Sequence, residues 1–212
     1  MSKEMIVTAA TSQDCDTTTS QSASFTCAQP AVSANREPTV PPILFLDYDG
    51  VLHPDDVYLE RGRPVLHATG QLFMWAPLLE DALVDHPDVR IVLSTSWARE
   101  LRFTRARDRL PQGLRSRVVG ATWHSAMGRI DGISLGRATW WDMATRYEQI
   151  KRHATRAALA DWVAIDDNPQ GWADADRDKL IQTHSAAGIS SPRILARLGE
   201  QLARISQRRT DP

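Results

Sequence analysis

Three apolar stretches of the sequence, ILFL, IVL and WVAI, each run directly into side chains that could hold a phosphate or a metal ion. The polar residues that follow them are Asp47 and Asp49, Ser94 and Thr95, and Asp166 and Asp167. Apolar runs of this length are typical of strands buried on both faces of a parallel sheet. Because open α/β sheets place ligands at the carboxyl ends of their strands, we expect the three polar groups to converge.

The chemistry of this convergence follows from the residue types. Four carboxylates in one place repel one another unless a cation or shared protons neutralise them. Oxygen ligands without a His/Cys cluster favour Mg²⁺ over zinc. Hydroxyl groups between a strand and a helix N-terminus are suited to hold a phosphate. The combination indicates phosphoryl transfer, with one Asp able to act as a nucleophile.

The elements that must position these residues alternate from Pro42 onward between strand and helix signals. This order predicts a three-layer α/β fold, in which a doubly wound, Rossmann-like parallel sheet carries helices on both faces. Besides the first strand, the patterns predict strands at 89–93, 117–121, 162–166 and 180–183. Helices are predicted from Pro77 to about 83, over 98–110 and 144–158, and after Ser190-Ser191-Pro192. Residues 53–70 are predicted to form a polar loop, and a second loop is predicted to hold Trp123, His124, Trp140 and Trp141.

Composition limits the other possibilities. Residues 1–40, rich in Ser, Thr, Ala, Gln and Asp, are interpreted as a disordered tail or a misassigned gene start, and 41–212 as one domain. A net charge of -1 gives no global attraction to nucleic acid or to an anionic membrane. No apolar stretch approaches the roughly 18 residues that would cross a bilayer. Both cysteines, Cys15 and Cys27, precede the predicted domain, so we expect neither a disulfide scaffold nor a zinc site, and a cytoplasmic location.

The motifs and their order resemble the haloacid dehalogenase (HAD) superfamily over about residues 42–207. ILFLDYDGVL resembles its motif I, IVLSTSW its motif II and WVAIDDNP its motif IV. Arg146 begins the predicted helix before motif IV, where the family has the Lys or Arg of motif III. The resemblance implies a HAD-like fold and a Mg²⁺-dependent phosphatase.

Specific roles follow from the resemblance. Asp47 would attack the substrate phosphorus and form an aspartyl-phosphate, while Asp49 would protonate the leaving group and then activate water. Mg²⁺ would be held by the Asp47 carboxylate, the Asp49 backbone carbonyl and Asp167, with Asp166 adjacent or linked through water.

Phosphate binding is assigned to Ser94 and Thr95 together with one cation. Arg146 and Lys151 are both candidates for that cation, and their spacing of five residues points them to different faces of a helix. We favour Arg146, whose planar fork could bind a phosphate in a bidentate manner.

The surroundings of the site bear on the substrate. The insert at about 53–70 is short, so the chain resembles a capless or minimally capped HAD member with an open site, similar to HAD domains of nucleic-acid repair proteins. Seven arginines lie between Arg99 and Arg117, which suits either a solvated helix face or a polyanion. Tryptophans and histidines near the strand ends, including Trp97 and His53, are interpreted first as packing and loop residues. The alternatives are that the tryptophans stack on a base or ring and that His53, close behind motif I, touches the substrate.

Three functions therefore remain open. The first is a phosphatase that acts on a phosphorylated small molecule, and the second is a phosphatase that acts on polynucleotide ends. The third is a HAD-fold binding module without turnover. The oligomeric state is not predicted.

Overall fold

A computed structural model describes residues 40–124 and 140–207. The chain divides into two units, Met1–Glu37 and Pro38–Pro212, and all described residues belong to the second. The tail predicted for residues 1–40 therefore lies outside the described residues, except for Val40.

The strands of the described ranges form a parallel sheet and a separate hairpin. They are β1 (Ile43–Leu46), β2 (Val57–Glu60), β3 (Arg63–Leu66), β4 (Arg90–Leu93), β5 (Val118–Ala121), β6 (Trp162–Asp166) and β7 (Leu180–Gln182). Five of them form the sheet in the order β5-β4-β1-β6-β7, and every neighbouring pair is parallel. The doubly wound parallel sheet expected from the sequence is therefore confirmed, with β1 in its centre.

Helices cover both faces of this sheet. They are α1 (Ala76–Ala82), α2 (Trp97–Glu100), α3 (Phe103–Arg107), α4 (Gln112–Arg117), α5 (Trp140–Met143), α6 (Arg146–Arg156) and α7 (Pro192–Gln207), with 3-10 helices at Asp174–Lys179 and Gly188–Ser190. Alternate residues of β1 belong to two separate hydrophobic clusters, because successive side chains of a strand point to opposite faces. Leu44 packs in the cluster that contains α1 and α7, and Phe45 in the cluster that contains α6.

Two helical predictions need correction. The single helix expected over 98–110 is two short helices, α2 and α3, because Arg102 between them has a φ of 71° and a ψ of 153°, which no helix contains. Trp140 and Trp141, expected in a loop, begin the short helix α5. The rest of that predicted loop, 125–139, lies outside the described residues.

The predicted polar loop at 53–70 contains the antiparallel hairpin β2–β3, in which Leu59 lies opposite Pro64. Arg61 and Gly62, which join the strands, have φ values of 50° and 76°. Positive φ at both central residues matches the right-handed twist of a hairpin. The short insert expected after the first motif is therefore a hairpin beside the sheet edge that carries the acids.

None of the helices in residues 40–124 and 140–207 combines the length and the hydropathy that a membrane span requires.

Candidate active site

Acidic side chains from two adjacent strands meet at the carboxyl edge of the sheet. Asp47 directly follows β1, Asp166 ends β6 and Asp167 follows it, and the three side chains each offer an oxygen within 4.8 Å of the others. They line a cavity of about 410 Å³ together with Asp49. The convergence of the two acidic pairs, which the sequence patterns predict, is present in the structure.

The turn after β1 needs glycine at position 50. Gly50 has a φ of 67°, and a Cβ at this position would lie 2.5 Å from Asp167 Oδ2. Thr183, after β7, donates a hydrogen bond of 2.7 Å from its hydroxyl to the Gly50 carbonyl oxygen. The turn that carries Asp49 is therefore held against Asp167 and tied to the end of β7, the next strand but one in the sheet.

Helix α6 brings a cation to these acids. A reciprocal pair of hydrogen bonds between Thr145 and Glu148 caps its N-terminus, so the helix begins at Arg146. The Arg146 guanidinium lies 3.4 Å from Asp47 Oδ2 and 3.3 Å from Asp166 Oδ2, and its side chain is 18% exposed.

Lys151, the other candidate cation, lies elsewhere. Its Nζ is 2.7 Å from Asp176 Oδ2, which also accepts a hydrogen bond from the Tyr147 hydroxyl. The other oxygen of the same carboxylate, Oδ1, lies 2.8 Å from the Lys179 Nζ. Lys151 does not line the cavity of the four acids. Of the two candidates, Arg146 is the one that lines this cavity, and its role in phosphate binding stays a prediction.

Burial and mutual repulsion make these carboxyls hard to ionise. Burial raises the pKa of Asp47 to about 6, against the lowering effect of Arg146 and with further raising by Asp49 and Asp167. Burial and the charge of Asp47 raise the pKa of Asp166 well above its usual value. The Arg146 guanidinium thus faces several acids, and a divalent cation would remove the repulsion among them.

The donor set fits such a cation. The three oxygens that converge are carboxylate oxygens, which are hard ligands of the kind that Mg²⁺ binds. Asp166 Oδ2 is buried and accepts no hydrogen bond from the described residues, although the Arg146 Nε is 3.3 Å away. A buried carboxylate oxygen in this condition can accept a metal ion without losing a hydrogen bond.

Asp49 lines the same cavity but is not one of the three acids that converge, and two other side chains hold it. Trp97 Nε1 lies 3.0 and 2.9 Å from the two Asp49 oxygens, and His53 Nε2 lies 3.1 Å from Oδ1. The His53 Nδ1 accepts a 3.3 Å hydrogen bond from the backbone N–H of Phe73, so the ring proton is assigned to Nε2, which donates to Asp49. His53 is fully buried, and Phe73 has a φ of 62°.

These two holders of Asp49 differ from the sequence-based interpretation. Trp97 is packed in the core, as interpreted, but both Trp97 and His53 also hydrogen-bond to a candidate catalytic acid, which was not expected. The spacing of four residues between Asp49 and His53 was the signal for the histidine. The contact with Trp97 crosses 48 residues of sequence, and no local pattern indicates it.

The hydroxyl cluster Ser94–Ser96 follows β4, the strand that pairs with β1. Ser94 is beside Asp47, since its backbone N–H donates to Leu46 O at 2.8 Å, and its Oγ is buried without a hydrogen-bond partner in the described ranges. Thr95 is fully buried, and it is Ser96 that lines the acidic cavity. The assignment of phosphate binding to Ser94 and Thr95 stays a prediction.

A further acid belongs to the cavity. Asp55 lines it, and burial together with the charge of Asp49 raises the pKa of its carboxyl. The position of Asp55 in the loop that follows Asp47 and Asp49 is the only sequence signal for it. Arg99 also lines the cavity, where it pairs with Asp142 at 2.5 Å and lies 5.8 Å from the centre of the Trp141 ring.

Comparison with known families gives one match. Residues 43–194, more than two thirds of the chain, match a family described as the HAD domain in Swiss Army Knife RNA repair proteins. No curated protein and no solved structure matches the chain significantly. The matched range contains both acidic pairs, Ser94 and Arg146. The chain therefore belongs to the haloacid dehalogenase superfamily, within the family of HAD domains found in RNA repair proteins.

Proposed function

We propose that this protein is a Mg²⁺-dependent phosphomonoester hydrolase that works through an aspartyl-phosphate on Asp47. The observation that carries the proposal is the meeting of Asp47, Asp166 and Asp167 within 4.8 Å beside the Arg146 guanidinium. Membership of the HAD superfamily supports hydrolase chemistry for such a site. Repelling acids around one fixed cation are costly to a fold that only binds, and they are useful to an enzyme that handles a phosphoryl group.

The proposed reaction has two steps. A carboxylate oxygen of Asp47 attacks phosphorus, the bond from phosphorus to the leaving oxygen breaks, and Asp49 gives its proton to that oxygen. Asp49 then takes a proton from water, whose oxygen attacks phosphorus and displaces the Asp47 carboxylate, which releases inorganic phosphate. The hydrogen bonds from Trp97 and His53 fix Asp49 in one place for both proton transfers.

The metal and the cation have distinct parts in this proposal. Asp47, Asp166 and Asp167 would hold Mg²⁺, which supplies charge neutralisation for the phosphoryl group and for the acids themselves. Arg146 binds phosphoryl oxygens from the α6 side and orients the group toward Asp47.

Hydrolysis of para-nitrophenyl phosphate in the presence and absence of Mg²⁺ tests the proposal. We expect Asp47→Asn to abolish turnover, because an amide cannot attack phosphorus. Asp176→Asn is the matched control, since Asp176 is also a buried Asp but pairs with Lys151 and Lys179 outside the cavity. Turnover that survives Asp47→Asn, or that is indifferent to Mg²⁺, contradicts the proposal, and binding of phosphate without turnover favours a non-catalytic module.

The description of the matched family favours a second candidate, a phosphatase that acts on polynucleotide ends. Helix α3 and its flanks carry three exposed arginines, Arg102, Arg105 and Arg109. This helix follows α2, whose Arg99 lines the acidic cavity. Arg117, counted with the same basic cluster, instead donates to the backbone carbonyls of Leu83, His86 and Val89. The basic surface is thus smaller than the sequence indicates.

A 3′-phosphorylated oligonucleotide compared with small phosphate esters separates the two candidates. Preference for the oligonucleotide that falls with added salt and with Arg102→Ala supports the polynucleotide end, because phosphate contacts release counterions. Equal turnover of both substrates at all salt concentrations excludes the preference for polynucleotide ends and favours a phosphatase that acts on small molecules.

A further inference from the structure

A second cavity, of about 220 Å³, opens beside Asp49 between the β2–β3 hairpin and α2. Asp49 and Ser96 line both this cavity and the acidic one, so the two volumes adjoin at the candidate acid. We call the second volume the hairpin pocket. Its other lining residues are Val57, Tyr58, Leu59, Pro64, Trp97, Glu100 and Leu101.

The hairpin supplies an apolar wall. Leu59 lies opposite Pro64 in the strand register, and Val57, two residues before Leu59, shares its face. Leu59 remains 46% exposed although it lines the pocket, whereas Leu101 on the α2 side is 7% exposed. A leucine that borders a cavity and is still half-exposed offers apolar surface that a ligand can cover.

Charge limits what this pocket accepts. Asp49 and Glu100 are its charged lining residues, and no cation lines it within the described part of the chain. An anionic group would be repelled there, while an uncharged ring with hydrogen-bond donors would not. The volume equals about seven water molecules at roughly 30 Å³ each, which is room for one ring system.

We propose that the hairpin pocket receives the leaving group of the substrate, and that this group is an uncharged, ring-bearing alcohol such as a nucleoside. The inference rests on the proposed function, since it takes Asp47 as the residue that binds phosphorus and Asp49 as the acid that protonates the leaving oxygen. The substituent on that oxygen then lies on the Asp49 side, where the apolar volume adjoins. Flat rings gain affinity by packing on aromatic and apolar side chains, and the exposed Tyr58 and Leu59 of the hairpin both line this pocket.

The test compares adenosine 3′-monophosphate with glycerol 2-phosphate, an ester without a ring, in the presence of Mg²⁺. The wild-type kcat/KM is expected to favour the adenosine ester by at least about tenfold. Leu59→Asp removes the apolar wall and Leu59→Trp fills the pocket, and each is expected to reduce this preference by about tenfold. Val84→Asp and Val84→Trp are matched controls at an apolar residue that is 67% exposed and does not line either cavity.

The outcomes distinguish a failure of the hairpin pocket from a failure of the proposed phosphatase function. Hydrolysis of both esters without preference, or a preference that both Leu59 variants keep, overturns the hairpin pocket and leaves the phosphatase intact. Failure to hydrolyse either ester overturns the proposed function and the inference with it. A preference lost in the Leu59 variants and kept in the Val84 variants supports the pocket, and cooperative denaturant unfolding of the Leu59 variants shows that they are folded.

Discussion

At the scale of single residues, the hydrogen bonds to Asp49 are the feature that sequence reasoning did not supply. A general acid and base is effective only when its carboxyl is held in place, and Asp49 is held by an indole N–H and an imidazole N–H. Both rings are packed edge-on against Phe73, and the Tyr48 ring contacts Phe73 and Trp97. The aromatic cluster is therefore a support for one acid as well as part of the core.

Trp97→Phe tests this support. It keeps an aromatic ring in the cluster and removes the N–H that lies 2.9 Å from Asp49 Oδ2. A hydrogen bond to a charged group is worth about 1.5–3 kcal/mol, so we expect kcat for phosphate esters to fall by about tenfold or more. Trp172→Phe is the matched control, because Trp172 is buried and its Nε1 has no hydrogen-bond partner in the described ranges. Equal effects of the two substitutions contradict the role given to Trp97.

At the scale of elements, the turn after β1 sets the distance between two acids. Gly50→Ala would strain a residue with a φ of 67° and press a methyl group against the Asp167 carboxylate. We expect a loss of about 1–3 kcal/mol in the free energy of unfolding and a loss of activity in excess of tenfold. Gly62→Ala has the same sign of φ but meets no atom within 4 Å, so it isolates the strain from the collision. Denaturant unfolding and turnover, measured on both variants, decide between the two causes.

How far local sequence predicts an element depends on which residues fill its turns. The central strands are apolar runs and were predicted, and β1 and β6 carry the acids to the site. The β2–β3 hairpin was not predicted, because Arg61 occupies a positive-φ turn position that Asn or Gly usually marks. The break between α2 and α3 at Arg102 was not predicted for the same reason, since no Gly or Pro marks the positive φ of this residue. Contacts such as Trp97 with Asp49 depend on how the elements pack, which local patterns do not contain.

At the scale of the whole molecule, the buried acids of the described ranges lie in two places. Asp47 and Asp166 belong to the candidate site, and Asp176 belongs to a separate cluster with Lys151, Lys179 and Tyr147. Burial acts to raise the pKa of Asp176, but hydrogen bonds from Lys151, Lys179 and Tyr147 outweigh burial and lower the pKa to about 2. Because the pKa of Asp176 in the folded protein is below its ordinary value of 3.8, the charged carboxylate stabilises the fold above about pH 4. This contribution decreases as the pH falls from there through about 2.

Asp176→Asn is therefore expected to lower the free energy of unfolding by about 2 kcal/mol at pH 7. The difference between variant and wild type should stay constant from pH 7 to about 5 and shrink below about pH 4, as denaturant unfolding at a series of pH values would show. A difference that grows as the pH falls would contradict the charge assignment. Phosphatase activity at neutral pH should persist, because Asp176 does not line the acidic cavity.

The central position of β1 has a consequence for synthesis of the protein. β1 is made early in the domain, but its neighbours in the sheet are β4 and β6, and Asp166 and Asp167 come with the latter. A chain still attached to the ribosome therefore contains Asp47 long before the second acidic pair has been translated. The complete set of acids exists only after β6 has joined the sheet, so nascent or truncated chains that stop short of residue 167 cannot carry out the reaction proposed for the finished protein.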